Sequence, residues 1–122
     1  MRVLLSIKPE FALRIFEGTK KYEYRRAIFK RREVRKVVVY ASDPIKRIIG
    51  EFEIGEILYD NPENLWTATK DNAGICEKRF LKYFTDKPKG YAIQIKSAKK
   101  YKAPLRLESF MLSSPPRSFF YL

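Results

Sequence analysis

Apolar residues in this chain come in short pulses, each cut off by proline or glycine, and none approaches the roughly 20 residues that span a bilayer. The pattern excludes membrane helices and long bundles and requires many short elements. Residues 2–7 (RVLLSI) read as a buried strand that stops at Lys8-Pro9. Pro9 suits the first turn of a helix, Phe11, Ala12, Ile15 and Phe16 recur at helical spacing, and Gly18 suits a C-terminal cap, so a helix is expected over 9–17. Residues 20–26 (KKYEYRR) alternate as a strand does, with Tyr22 and Tyr24 on one face and Lys21, Glu23 and Arg25 on the other. Residues 34–40 form a valine-rich strand, 41–44 (ASDP) a turn, and 48–59 a long strand bent at Gly50 or Gly55.

Asn61-Pro62 starts a helix, with a capping side chain ahead of proline at the first helical position, and Gly74 breaks it. Trp66 is expected in the core of that helix's packing. A second short helix over 76–84 places Phe80, Leu81 and Phe84 on a buried stripe, with Cys76 a small buried group. Residues 91–95 alternate as a half-buried strand, which continues towards Tyr101 until Pro104 stops it. The aromatic tail, Phe119 to Tyr121, is expected to dock on the body. With no repeat, linker or boundary, residues 1–122 read as one domain of the α+β class, a small mixed β-barrel flanked by short helices.

The formal charge is +12, and it is unevenly spread. Residues 20–36 hold nine Lys/Arg against Glu23 and Glu33, residues 87–106 hold seven and no acid, and residues 51–86 carry eight acids against four bases. Two basic blocks around an acidic one point to a polyanion partner on one face, the plain alternative being a merely soluble basic protein. The chain has no histidine and one cysteine. That excludes His-based nucleophile pairs and zinc sites, and no cofactor motif is present. A lone cysteine, and an N-terminus too short in apolar residues for a signal sequence, lead to the expectation of a cytoplasmic protein with no membrane role.

The stretch Gly18-Thr19-Lys20-Lys21-Tyr22-Glu23-Tyr24-Arg25 resembles the G-x-K-x-x-E-x-R signature of the ASCH family, and it follows a strand and short helix as that family's signature does. The likeness continues through VVVYASDPIKRIIGEFEIGEI and GYAIQI, and PPRSFFYL looks like the tail of a subset regarded as regulators. The resemblance implies a PUA-like β-barrel with helices beside a cleft and a role in RNA binding or processing. It also implies that Lys20, Glu23 and Arg25 line that cleft. Some relatives are amidohydrolases on acylated cytidine, and one branch is described as a ribonuclease. In the amidohydrolase branch a threonine stands where this chain has Glu23, which puts that chemistry in doubt, and Thr19 is not at the equivalent position.

In a cleft, a carboxylate at Glu23 accepts from a base's exocyclic amine while Arg25 forks onto a carbonyl or phosphate. The bland alternative is that the two simply pair within the sheet, for less than about 1 kcal/mol. Lys20 faces the other way by strand parity, unless the Gly18 turn suspends that rule. Lys8 and Ser42, each at a strand end, complete the expected ligand-binding set of Lys8, Lys20, Glu23, Arg25 and Ser42. Tyr22 and Tyr24 are read as core rather than stacking residues. Arg25, Arg26, Lys30, Arg31, Arg32 and Arg35 form the expected phosphate-contacting patch. The favoured function is capture of RNA, or of a single nucleotide or modified base from single-stranded nucleic acid. The alternatives are a metal-free amidohydrolase or ribonuclease, with Lys20 and either Glu23 or Glu53 as the catalytic groups, and a DNA-binding regulator module with a partner on another chain. RNA against DNA, and the oligomeric state, stay open at this level.

Overall fold

The computed structural model describes all 122 residues and places them in one curled sheet with three short helices. β1 (Arg2–Ile7) and β3 (Lys36–Ala41) run parallel, in register from Arg2 opposite Lys36 to Ile7 opposite Ala41. Between them lie α1 (Pro9–Glu17) and β2 (Tyr22–Arg25). β4 (Arg47–Asp60) and β5 (Gly90–Leu105) make a long antiparallel pair, separated in sequence by α2 (Pro62–Thr69) and α3 (Glu77–Tyr83). The tail contributes β6 (Phe119–Tyr121), antiparallel to β1, so the order across the sheet is β2-β5-β4-β3-β1-β6.

The apolar runs Val3–Leu5 of β1 and Val37–Val39 of β3 follow from burial on both faces. Val3, Leu5, Val37 and Val39 point into the curl with Ile15 of α1 and Phe52 of β4. Leu4 and Val38 point outward, under Leu105 at the end of β5 and Phe110 and Leu122 of the C-terminal segment. At the far end of the sheet, Tyr24 and Ala92 pack outward against Leu65, Phe80 and Phe84 of the helices. Each fully buried Leu, Ile or Phe in these clusters contributes roughly 1.5–3 kcal/mol.

The sheet does not close by a ladder. Its edges, β2 and β6, are drawn together by one side chain. Arg25 of β2 donates to the Ser6 carbonyl of β1 at 3.2 Å and to the Ser118 carbonyl ahead of β6 at 3.1 Å. This half-barrel with flanking helices is the α+β, PUA-like architecture expected, and the tail docks as expected.

Four details differ. β5 runs through Pro104 to Leu105, because the β4–β5 register breaks between Ile48 and Gly50, so the missing N–H of Pro104 falls where the ladder is irregular. Cys76 is exposed, since it sits just outside the first turn of α3. Leu81 is exposed too, as the seven-residue helix buries only Phe80, with Phe84 buried at its C-terminal cap. Trp66 is half-buried, its ring 5.0 Å from that of Phe80.

Candidate functional site

The way α1 ends decides where Lys20 goes. Gly18 takes the left-handed conformation (φ 89°), which L side chains avoid. The N–H groups of Gly18, Thr19 and Lys20 then all reach back to the Arg14 carbonyl, each at 3.1 Å. Lys20 thus belongs to the helix cap, and β2 begins only at Tyr22, so strand parity does not govern it. Its side chain turns inward to 2 % exposure. Nζ donates to the Ala73 carbonyl at 3.0 Å and stands 4.6 Å from the centre of the Tyr24 ring.

The seat for Lys20 is the segment 72–74. The Lys21 N–H donates to the Asn72 carbonyl at 2.8 Å and Arg14 Nη1 to the Gly74 carbonyl at 2.8 Å. Gly74 adopts φ 64° with its Cα against the Lys20 side chain, where any Cβ would collide with Lys20 Cβ. Burial lowers the Lys20 amine to about pH 8, with Glu23 opposing the shift and Arg14 adding to it. None of the four ion pairs in the structure includes Lys20.

Glu23 is 5 % exposed and receives Arg25 Nη1 on Oε2 at 3.2 Å. Its other oxygen, Oε1, has no protein donor. Arg25 gives both of its Nη groups to Glu23, Ser6 and Ser118, so it holds the carboxylate and the sheet edges in place. Burial pushes the Tyr24 phenol up to about 12. Thr69 gives its hydroxyl proton to the Leu65 carbonyl, leaving Tyr24 to donate to Thr69 Oγ1 at 2.7 Å. Tyr24 is core, as expected, though its ring also floors the cleft below Lys20.

Lys8, Lys20, Glu23 and Arg25 all line one cleft of about 620 Å³ between the end of β1, α1, β2 and α3. Ser42 does not line it. It sits in the turn after β3, its N–H donating to the Ile7 carbonyl at 3.0 Å and its own carbonyl accepting from Ile45. Glu53 is exposed on β4 and lies outside the cleft as well. Reading by sequence missed what α3 adds: Arg79, Lys82 and Tyr83 line the opposite wall. Their spacing on a short helix was visible, but its docking against β2 is a tertiary fact.

The other basic residues form a separate feature. Arg26, Lys30, Arg31, Arg32 and Arg35 line an open groove of about 980 Å³, joined by Lys87, and no acid lines it. Arg26 is anchored by the carbonyls of Tyr83 (2.8 Å) and Thr85 (2.9 Å). The loop is pinned by the tail: the N–H groups of Lys30 and Arg31 donate to Tyr121 Oη at 2.9 and 3.2 Å. No group of three or more His, Cys, Asp or Glu that could hold a metal is present, and no helix is long and apolar enough to cross a membrane.

The comparisons with known proteins agree with this layout. The crystal structure of ASCH from Zymomonas mobilis superposes with a TM-score of 0.90 at 26 % identity, covering 99 % of this chain and 87 % of that one. An ASCH domain-containing ribonuclease of Zymomonas mobilis is 29 % identical over 93 residues, 76 % of this chain and 63 % of that protein. Two Ureaplasma parvum proteins, ATP synthase subunit alpha and large ribosomal subunit protein uL22, are each 26 % identical over 98 % of this chain. This chain spans only 15 % and 39 % of their respective lengths. The sequence pattern of the ASCH domain matches residues 5–108, which takes in the end of β1, the Gly18-to-Arg25 signature and nearly all of the sheet. A match over that much of the chain, on a half-barrel that superposes on a solved ASCH protein, makes this protein a member of the ASCH domain family.

Proposed function

We propose that this domain captures single-stranded RNA, holding one nucleotide in the cleft while the acid-free groove follows the phosphates. The observation that carries the reading is Lys20: a buried amine without an acid partner, at the floor of a cleft whose sole carboxylate, Glu23, keeps one oxygen free of protein donors. Burying a lysine disfavours its charged form, and of the amine's three donors the Ala73 carbonyl accepts one, which leaves donors for an anion or carbonyl of a ligand. Glu23 Oε1 supplies the complementary acceptor for an exocyclic amine, and Arg25, already bonded on three sides, fixes its direction. RNA is favoured because one relative is named an ASCH domain-containing ribonuclease.

A second reading, metal-free cleavage of the bound strand, is supported by the amine's shift to about 8, which makes it a proton acceptor just above neutrality. One experiment divides the two. Wild type and Lys20→Met are incubated with single-stranded RNA, and with acylated cytidine, across pH values of about 5 to 9. Binding that Lys20→Met weakens, with both substrates left intact, is the expected result. RNA cleavage that rises towards pH 8 and vanishes in Lys20→Met replaces capture by catalysis. Equal binding by the two proteins overturns the cleft reading.

A further inference from the structure

Tyr59 is 55 % exposed, the most exposed aromatic side chain of the fold, and it stands on a regular strand rather than in a loop. It lies directly opposite Tyr91 in the β4–β5 register, with ring centres 4.6 Å apart and planes 30° from parallel. Tyr91 in turn lies opposite Arg25 in the β2–β5 register. Directly opposed residues of antiparallel strands project to the same face. Arg25, Tyr91 and Tyr59 therefore form one row across three strands, running from the cleft arginine to the basic groove, which both tyrosines line.

We infer that Tyr59, backed by Tyr91, is a stacking platform for a base of single-stranded RNA whose phosphates lie along the basic groove, an inference that rests on the RNA reading proposed above. A purely structural pair does not require what surrounds this one. β4 carries Glu51, Glu53, Glu56 and Asp60, yet none of these acids lines the groove, whereas Ile57, exposed and two residues before Tyr59, does. The surface thus combines six cations, no acid and a flat aromatic face. Lys89 holds Nζ over the Tyr59 ring, 5.4 Å from its centre, on a flexible side chain that can swing from the ring to a phosphate when a base stacks. Charge complementarity selects a polyanion, and the flat ring selects one whose planar groups are free to leave the strand. A duplex keeps its bases stacked inward and can meet only the cations, so the platform favours single strands. The Tyr91 ring beneath holds Tyr59 in place and lowers the entropy lost when a base stacks upon it.

The test uses a single-stranded RNA carrying the fluorescent base 2-aminopurine, whose emission is quenched by stacking, and a duplex RNA of equal length. Wild type should quench the probe, and Tyr59→Phe should do the same, since stacking needs the ring and not the hydroxyl. Tyr59→Ala should lose the quenching and bind the single strand about tenfold more weakly, with duplex binding unchanged. Tyr59 is exposed, so the substitution leaves the core intact, and an unchanged melting temperature verifies this. If wild type binds the probe and Tyr59→Ala binds and quenches equally well, the platform is overturned while RNA capture stands. Equal loss on single strand and duplex also overturns it, because that is an effect of charge or fold. Failure of wild type to bind either RNA overturns the platform together with the reading beneath it.

Discussion

The cleft and the groove are both basic, and they are built in opposite ways. In the cleft the key side chains are committed before any ligand arrives. Lys20 is seated on Ala73 and Gly74, and Arg25 is bonded to Glu23, Ser6 and Ser118. In the groove the backbone is held, by Tyr121 and by the anchor at Arg26, while the long side chains of Lys30, Arg31 and Arg32 are exposed and form no ion pair with any acid, Arg31 lying 4.9 Å from the centre of the Tyr121 ring. Fixed groups in a dry place discriminate between ligands, because an imperfect partner leaves a buried polar atom unpaired. Mobile cations in water add affinity by releasing counterions and carry little preference for sequence. The molecule therefore separates reading from holding.

The largest expected effect belongs to the groove. With five or six phosphate contacts, the log–log dependence of RNA affinity on salt has a slope of roughly −4, so affinity falls about two orders of magnitude between about 50 and about 200 mM salt. Replacing Arg31 and Arg32 together with Ala should shallow that slope by roughly 1.4, whatever the RNA sequence. A salt series on both proteins measures it, and a flat response in wild type removes the polyanion reading of the groove.

A smaller effect belongs to the cleft and shows in stability. Lys20 titrates near pH 8 when folded and near 10.5 as a free side chain, so between those values the unfolded chain binds more protons. Stability contributed at this site therefore rises with pH across that window. The gain from about pH 7.5 to about 9.5 is on the order of 2 kcal/mol. Denaturant melts should show it in wild type relative to Lys20→Met, in which it is absent. Parallel curves for the two proteins would mean that the amine is not desolvated.

How much of this was legible in the sequence follows the range of each interaction. The limits of β1 and α1 and the Asn61-Pro62 helix start could be read directly, because caps and prolines act within a few residues. The Gly18-to-Arg25 signature gave three of the cleft's side chains for the same reason, and the tail's docking followed from its apolar content. The direction of Lys20 could not be read by parity, since three N–H groups fold back on Arg14 before the strand begins. Ser42 follows a strand end, a common place for a ligand hydroxyl, but the turn uses its backbone and its side chain lies outside the cleft. Pro104 hid the length of β5, and the opposition of Tyr59 to Tyr91 depends on a register with breaks at three places along β4. The contribution of α3 and the clasp of Arg25 across the sheet edges are tertiary facts with no local trace.

The separation of reading from holding is tested most directly by Glu23→Gln, which keeps the shape of the side chain and removes its charge. RNAs differing at one base are titrated against wild type and the variant across a salt series. Glu23→Gln should change the ranking of the bases by about tenfold, as expected for the loss of one good base contact, and leave the salt slope at roughly −4. A variant that changes the slope and keeps the ranking would contradict that separation, because the carboxylate would then be acting on phosphates and not on a base.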